Sequence, residues 1–139
     1  MLFPKKVKHR KWQTGRRNPK KLGVATRGIT IAFGSYGLKA TTAYRIRSNQ
    51  IEAARRSITR FMGKTGKMWI RVFPDRPYTA KAAEVGMGKG KGDLQGYEVE
   101  VLPGRIMFEV DGVAAEIAKE ALRKDGAKLP LKTKVVART

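Results

Sequence analysis

The first acidic residue of the chain is Glu52, and every residue before it is neutral or basic. Residues 1–51 contain 13 Lys and Arg side chains, in a 139-residue chain whose net charge at pH 7 is +20. Only residues 93–125 reverse the sign, with eight acidic and four basic side chains. Because like charges repel, a compact fold with this distribution is favoured beside a polyanion. The pattern predicts a two-sided molecule, with one face for nucleic acid or an anionic membrane surface.

The residue types that the chain lacks exclude several classes of protein. There is no cysteine, which removes thiolate nucleophiles and Cys-based zinc sites, and His9 is the only histidine. No apolar run reaches the roughly 18 residues of a membrane span, and no apolar signal-peptide region is present. We therefore expect a soluble intracellular protein that is not an enzyme. We expect no metal, no cofactor, no small-molecule substrate and no membrane partner.

Residues 1–28 show no helical or strand periodicity, and prolines and glycines interrupt them. We predict an extended basic arm whose Lys and Arg side chains bind phosphates while aromatic side chains contact bases. The alternative is a solvated, disordered tail. The candidate nucleic-acid-binding residues of the arm are Lys5, Lys6, Lys8, Arg10, Lys11, Trp12, Arg16, Arg17, Lys20 and Lys21.

Residues 29–139 are predicted to form a single α+β domain. The alternation of Ile29, Ile31 and Phe33 predicts a strand that ends in a turn at 34–37. Apolar periodicity and turn residues predict further elements. Strands are expected near 38–43, 67–73, 97–101, 106–110 and 131–135, and helices near 48–62 and 113–124, with Ser48 as the first N-cap and Gly63 after that helix. The predicted architecture is an antiparallel or mixed sheet of five or six strands with two helices packed on it.

The two predicted helices differ in their polar faces. On the first, Arg56 and Arg60 lie opposite the apolar stripe with no acid placed to pair with them, which favours phosphate binding over a merely solvated face. On the second, acids and bases alternate at pairing distances, as in Glu120 and Lys124, so this helix is predicted to face solvent. The residues assigned to the core are Ile51, Ala54, Ile58, Phe61 and Met62 on the first helix, and Ile117, Ala121 and Leu122 on the second.

Residues 74–96 form a predicted loop of unusual length between strands. Its centre, residues 86–92, has glycine at every second position with lysines between. Glycines permit positive φ and let backbone amides approach phosphates, so we interpret the loop as an RNA contact, with a plain linker as the alternative. Lys91 is followed by glycine and not by Ser or Thr, which argues against a nucleotide-binding loop. In the strand that follows, Glu98 and Glu100 are expected to face water.

Seven segments together resemble a known family. In chain order they read MLFPKKVKHRK, FGSYGLKA, QIEAARRSITR, WIRVFPDRP, MGKGKG, PGRIMFE and KLPLKTKVV. They resemble the bacterial-type large-subunit ribosomal protein called L-sixteen, of the universal L-sixteen/L-ten-e family. The resemblance implies an α+β hammerhead fold with a basic N-terminal extension. It also implies binding to 23S-type rRNA, a role in late subunit assembly, and an approach to A-site or P-site tRNA near the peptidyl-transferase region.

Carried onto this chain, the resemblance assigns three sets of residues. They are Lys5, Lys6, Lys8, Arg10 and Lys11 in the rRNA-binding extension; Arg55, Arg56 and Arg60 on a helix near rRNA; and Met87, Gly88, Lys89, Gly90 and Lys91 in the loop that reaches toward tRNA. The implied partners are large-subunit rRNA, tRNA and neighbouring ribosomal proteins, in the ribosome of the cytoplasm or of an organelle. Gly86 stands where members often carry Arg, so no contact or modification of that Arg is carried over. On composition alone, a free-standing nucleic-acid-binding or chaperone protein is the alternative.

Overall fold

The computed structural model describes residues 2–15, 18, 21–81, 86, 88 and 90–138. Within this part of the chain the strands form two antiparallel sheets: sheet A in the order β3-β6-β1-β7 and sheet B in the order β2-β5-β4. The elements are β1 (Tyr36–Ala40), β2 (Tyr44–Arg47), α1 (Ser48–Met62), β3 (Lys67–Ile70), β4 (Arg76–Ala80), β5 (Asp93–Val101), β6 (Ile106–Asp111), α2 (Ala115–Gly126) and β7 (Thr133–Ala137). The predicted α+β class is confirmed, with two sheets in place of one.

The hydrophobic core joins both sheets to the two helices. Phe108 and Leu38 from sheet A, Ile46 from sheet B, and Ile58 and Leu122 from the helices are all buried in one cluster. Complete burial of a side chain such as Phe108 stabilises the fold by about 1.5–3 kcal/mol. Alternate residues of β1 contribute to this core, whereas residues 106–110 of β6 are all buried, so this strand is covered on both faces of sheet A.

The predicted first strand was wrong. Residues 29–33 form no strand, because the backbone N–H groups of Ala32 and Phe33 donate to the side chain of Glu109 and not to a neighbouring strand. The first strand is instead Tyr36–Ala40, and β2 was not predicted as a separate element. The other predicted strands are present with shifted ends.

The predicted loop over 74–96 was too long. β4 lies inside it, and β5 begins at Asp93, so the connection spans residues 81–92. Pro77 lies within β4 and is accommodated because β4 is an edge strand of sheet B. An edge position tolerates a residue without a backbone N–H. The division of the chain at residue 28 stays a prediction.

The helices match their predictions except at the N-cap of α1, at both ends of α2, which was predicted near 113–124, and at two apolar side chains. Gly63 follows α1 with φ of 75°, as expected of a helix C-terminus, but Arg47 and not Ser48 occupies the N-cap position. Phe61 and Ile117, both predicted to be in the core, are 39% and 42% exposed. They lie at the margin of their apolar stripes, where sequence periodicity does not separate core from boundary. None of the helices in the described ranges is long and apolar enough to span a bilayer.

Candidate nucleic-acid interface

The described part of the N-terminal arm is bound to sheet B through its own backbone. Arg45 donates hydrogen bonds from Nη2 to the carbonyl oxygens of Thr14 at 2.6 Å and Gly15 at 3.1 Å. Arg76 donates from Nη2 to the carbonyl oxygens of Gln13 at 2.7 Å and Thr14 at 2.6 Å. Because two guanidinium groups bind the arm by its carbonyls, the arm's side chains are left available to a partner.

Apolar side chains fix the rest of the arm. Leu2 packs against the core cluster, and the ring of Phe3 meets that of Tyr97 edge-on with 5.9 Å between centroids. The guanidinium of Arg76 lies 5.5 Å from the centroid of the Trp12 ring. Trp12, a predicted RNA contact, therefore has one face against a cation of sheet B and is still 41% exposed.

The basic side chains of the arm are directed to solvent. Lys5, Lys6, Lys8, Arg10 and Lys21 are exposed, and Lys11 is half-buried. None of these six side chains hydrogen-bonds or ion-pairs with another residue in the described ranges. Arg16, Arg17 and Lys20, which the sequence also singled out, lie outside the described residues. A row of unpaired cations is the surface that a phosphate backbone requires.

Glu98 was predicted to face water, and this was wrong. It is 8% exposed and lies opposite Arg47 on β2 and Arg76 on β4, with its Oε1 3.9 Å from Nη1 of Arg45. The arm covers this face of sheet B, so the carboxylate is removed from water and surrounded by arginines. Glu100, two residues further on, is half-buried.

The first helix has an acid that the sequence analysis overlooked as a partner. Glu52 accepts hydrogen bonds from Nε of Arg55 at 3.1 Å and Nε of Arg56 at 3.3 Å. The Arg55 hydrogen bond lowers the pKa of Glu52 from 4.5 to about 2, against a smaller opposing effect of burial. The prediction that Arg56 lacks an acidic partner was therefore wrong, because i,i+4 spacing places Glu52 below it.

Arg60 is the cation of this helix that keeps its charge unpaired. It is exposed in the last turn and makes no hydrogen bond or ion pair with the described part of the chain. Its neighbour Phe61 lies under the ammonium of Lys124, 4.2 Å from the ring centroid.

On α2 the acid–base pairing differs from the prediction, since Glu120 accepts from Arg123 at 3.0 Å and not from Lys124.

The glycine–lysine loop combines an open backbone with a fixed base. Gly88 and Gly90 have φ of +85° and +90°, and no described residue other than their chain neighbours has an atom within 4 Å of where a Cβ would stand on either. Gly92 differs, because a Cβ there would come within 2.6 Å of the Ala80 backbone. The ammonium of Lys91 donates to the carbonyl oxygen of Trp12, which ties the loop to the arm. Met87 and Lys89 lie outside the described residues.

A further cationic surface was missed by sequence reasoning. Lys39 on β1 and Lys134 on β7 face each other across the sheet A ladder. Together with Arg138 they line a groove of about 690 Å³, whose other walls include Ile29 and Ile106. No acidic side chain lines this groove. The strand register places Lys39 opposite Lys134, which are far apart in the chain. This pairing cannot be read from a single sequence.

Comparison with known proteins identifies the family. The family described as "Ribosomal protein L16p/L10e" matches residues 4–136 of this chain. The chain belongs to the ribosomal protein L16p/L10e family. The resemblance seen in the seven sequence segments is thereby confirmed.

The chain is similar along its whole length to curated members. It is 53% identical over 139 residues to large ribosomal subunit protein uL16 of Halorhodospira halophila, covering 100% of this chain and 98% of that protein. It is 54% identical over 138 residues to the uL16 of Allorhizobium ampelinum, covering 99% and 98% respectively. With the uL16 of Caulobacter vibrioides it shares 56% over 138 residues, covering 99% of this chain and 94% of that protein.

In this member of the L16p/L10e family, the described cations include two contrasting groups of side chains. The side chains of Arg45, Arg76, Lys91 and Arg55 hydrogen-bond within the chain and hold the fold, the arm and the loop. The second group makes no side-chain hydrogen bond or ion pair in the described part of the chain. It includes Lys5, Lys6, Lys8, Arg10, Lys11, Lys21, Lys39, Arg60 and Lys134. No cluster of three metal-ligating side chains occurs among the described residues.

Proposed function

We propose that this chain is a structural constituent of the large ribosomal subunit, where it binds 23S-type rRNA. Relatives that share 53–56% of their residues with it are named as proteins of that subunit. These bacterial relatives support a place in the ribosome of the cytoplasm, beside other ribosomal proteins. The proposed role is positional, and it assigns no catalytic residue, cofactor or small-molecule substrate to the chain.

One observation supports the rRNA contact above the others: the arm is bound by its carbonyls and not by its basic side chains. A tail that was only solvated would not need Arg45 and Arg76 to hold it against sheet B. Because the arm is already ordered, its cations can meet phosphates with less loss of conformational entropy than those of a flexible tail. Each neutralised phosphate then releases condensed counterions, which drives binding at low salt.

Two further sets of cations extend the proposed rRNA surface. Arg60 supplies an unpaired guanidinium on α1, and Arg55 and Arg56 supply guanidinium groups that share Glu52. Lys39 and Lys134 add a pair of like charges on sheet A. Like charges directly opposite on a sheet are destabilising on their own, so an anion between them is favourable.

The loop is proposed to approach A-site or P-site tRNA near the peptidyl-transferase region. The support from this chain is the positive φ of Gly88 and Gly90 and the open space where a Cβ would stand on either, in the part of the chain that the structure describes. The ammonium of Lys91 donates to the carbonyl oxygen of Trp12, so the base of the loop contacts the arm. Met87 and Lys89 complete the proposed tRNA-proximal set, and a role in late subunit assembly is part of the same proposal.

Sedimentation tests the ribosomal role. We expect the tagged full-length chain to cosediment with large subunits and with translating ribosomes in a sucrose gradient of a cell extract. Recovery only at the top of the gradient would contradict the proposal. A free-standing nucleic-acid-binding protein makes a different forecast, since duplex DNA would then compete as well as rRNA at matched salt. We expect rRNA to be preferred.

A further inference from the structure

The outer face of sheet A, opposite the helices, carries an exposed aromatic pair. The rings of Phe33 and Trp69 are stacked, with 6.0 Å between centroids and an interplanar angle of 20°. Phe33 is 55% exposed, whereas Trp69 is half-buried beneath it. We call these two residues the aromatic platform. Neither the sequence motifs nor the proposed cation sites account for it.

A buried carboxylate holds the platform in place. Glu109 on β6 is completely buried and accepts hydrogen bonds from the backbone N–H groups of Phe33 at 2.7 Å and Gly34 at 2.8 Å. It also pairs with the guanidinium of Arg71, which lies 5.2 Å from the centroid of the Phe33 ring. The exposed phenyl group of Phe33 is therefore restricted by its own hydrogen-bonded backbone, by the Trp69 ring and by the Arg71 guanidinium.

The contact of this segment with β6 leaves little room for movement. A Cβ on Gly34 would stand 2.6 Å from the carbonyl oxygen of Val110, so the backbone lies directly on the strand. Singly exposed apolar side chains are common on protein surfaces. The contacts of the Phe33 ring with Trp69 and Arg71 restrict its rotamers, which lowers the entropy cost of binding a flat partner.

The charges around the platform favour an anionic partner. The two carboxylates on this face are used internally: Glu109 as described, and Asp111 by accepting from Oγ of Ser35 at 2.8 Å and from N–H of Gly112 at 2.8 Å. Lys67, two residues before Trp69 and on the same face of β3, is exposed and lies opposite Asp111 in the ladder with β6. Its charge is a minor cause of the lowered pKa of Asp111, after the hydrogen bonds from Ser35 and Gly112. An aromatic surface flanked by a cation is the arrangement on which unpaired nucleobases stack while their phosphates meet the charge.

We propose that Phe33 and Trp69 form a stacking site for an unpaired base of RNA, with Lys67 beside it for a phosphate. This inference deepens the proposed rRNA-binding function and rests on it. The face is distinct from the arm, from α1 and from the loop, so it adds a recognition mode that depends on ring stacking and not on charge.

Tryptophan fluorescence gives a direct test. The chain has two tryptophans, so Trp12→Phe leaves Trp69 as the single reporter, and all variants are compared in this background. We expect purified large-subunit rRNA to quench Trp69 emission, because a stacked base contacts the platform. Binding of rRNA with no change in Trp69 emission would overturn the inference.

Two substitutions at one position separate stacking from apolar contact. Phe33→Leu retains an apolar side chain but loses the ring face, and we expect roughly ten-fold weaker rRNA binding. The salt dependence of binding should not change, because stacking releases no counterions. Phe33→Tyr retains the ring and should bind as the parent does. Lys67→Ala should instead lower the salt slope by about 0.7–0.9.

The outcomes distinguish this inference from the function on which it rests. If Phe33→Leu and its parent bind rRNA equally, the stacking site is overturned while the ribosomal role stands. Weaker cosedimentation of Phe33→Leu with assembled subunits, together with unchanged binding to free rRNA, would identify a protein contact and would also overturn it. If the parent protein neither binds rRNA nor cosediments with subunits, the proposed function itself fails.

Discussion

Lys39 on β1 and Lys134 on β7 are register partners on adjacent antiparallel strands, and no described carboxylate pairs with either ammonium. Like charges placed opposite each other on one face of a sheet destabilise the pair. The free protein therefore holds a repulsion that an anion would relieve.

Replacing one of these lysines should increase stability and weaken RNA binding at once. We expect Lys134→Glu to raise the free energy of unfolding by about 0.2–1 kcal/mol, since it turns a repulsive cross-strand pair into an attractive one. Affinity for rRNA should fall, and the dependence of log K on log salt should become shallower. Urea denaturation and filter binding at several salt concentrations measure the two effects.

Lys119→Glu on α2 is the control, because it makes the same change in net charge and should leave the salt slope near that of the wild type. Equal salt slopes for Lys134→Glu and Lys119→Glu would contradict the prediction.

The arm should set much of the salt dependence of rRNA binding. Replacing Lys5, Lys6, Lys8, Arg10 and Lys11 together by Gln removes cations that make no bond within the described chain. With a slope of about 0.7–0.9 for each phosphate contact, we expect the total slope to fall by roughly 3.5–4.5 if all five bind. The fold should be unaffected, because Arg45 and Arg76 hold the arm by its carbonyls. An unchanged slope would rule out these residues as phosphate contacts.

Glu52 should limit RNA binding by α1. Its pKa is lowered to about 2 through hydrogen bonding to Arg55, so it stays ionised at neutral pH and offsets the charges of Arg55 and Arg56. We expect Glu52→Gln to bind rRNA more tightly than the wild type does. We also expect Arg60→Ala to bind rRNA more weakly than Arg55→Ala does. Glu116→Gln on α2, which also removes one negative charge, is the matched control. An equal gain from both Gln variants would show that only net charge matters.

The same carboxylate gives a pH prediction with a definite sign. A folded-state pKa below the ordinary value of 4.5 means that the ion pair contributes stability above that pH. This contribution is lost as the pH falls through about 2. Urea midpoints of the wild type should therefore decline in this acid range more steeply than those of Glu52→Gln.

Asp125 should make stability fall as the pH rises. It is fully buried, and neither carboxylate oxygen accepts a hydrogen bond from the residues that the structure describes. Burial raises its pKa from 3.8 to about 8, against a smaller opposing effect of Lys128. The folded state thus keeps a proton that the unfolded state releases above pH 3.8, so this stability is present below that pH and is lost as the pH rises through about 8.

Urea denaturation between pH 5 and pH 9 tests this assignment. One proton limits the slope to about 1.4 kcal/mol per pH unit. Asp125→Asn, which cannot ionise, should show a flatter profile and exceed the wild type in stability at high pH. Asp75→Asn, at an exposed aspartate, should keep the wild-type profile. Parallel profiles for the wild type and Asp125→Asn would refute the assignment.

The Glu109–Arg71 pair should behave as a coupled unit. Burial opposes ionisation of Glu109, but hydrogen bonds from the Gly34 N–H, from Arg71 and from the Phe33 N–H together hold its pKa below the usual range. Removing one partner of a buried ion pair typically costs about 3–5 kcal/mol. We expect Glu109→Gln to be strongly destabilising in urea, and the double variant Glu109→Gln/Arg71→Gln to lose less than the sum of the single changes. Additive losses would show that the two groups are not coupled.

Local patterns were sufficient for the fold class and for most of the core. The stripe of Ile51, Ala54, Ile58 and Met62 predicted the buried face of α1, and all four are buried. Local patterns failed where a side chain competes with a strand for backbone hydrogen bonds, as Glu109 does for Ala32 and Phe33. They also failed at Glu98, whose burial depends on the arm that covers sheet B.

The sequence by itself determined the sign of the charge and the absence of thiols, which are matters of composition, and the α+β class, which follows from short-range periodicity. Seven segments carried the resemblance to the family. Only the tertiary structure decided which cations are free. Arg45 and Arg76 reach arm carbonyls 31 and 63 residues earlier in the chain, and β-sheet register sets Lys39 against Lys134. Such pairings are chosen by packing across the whole domain, since a hydrogen bond or a repulsion depends on distance in space and not on distance along the chain.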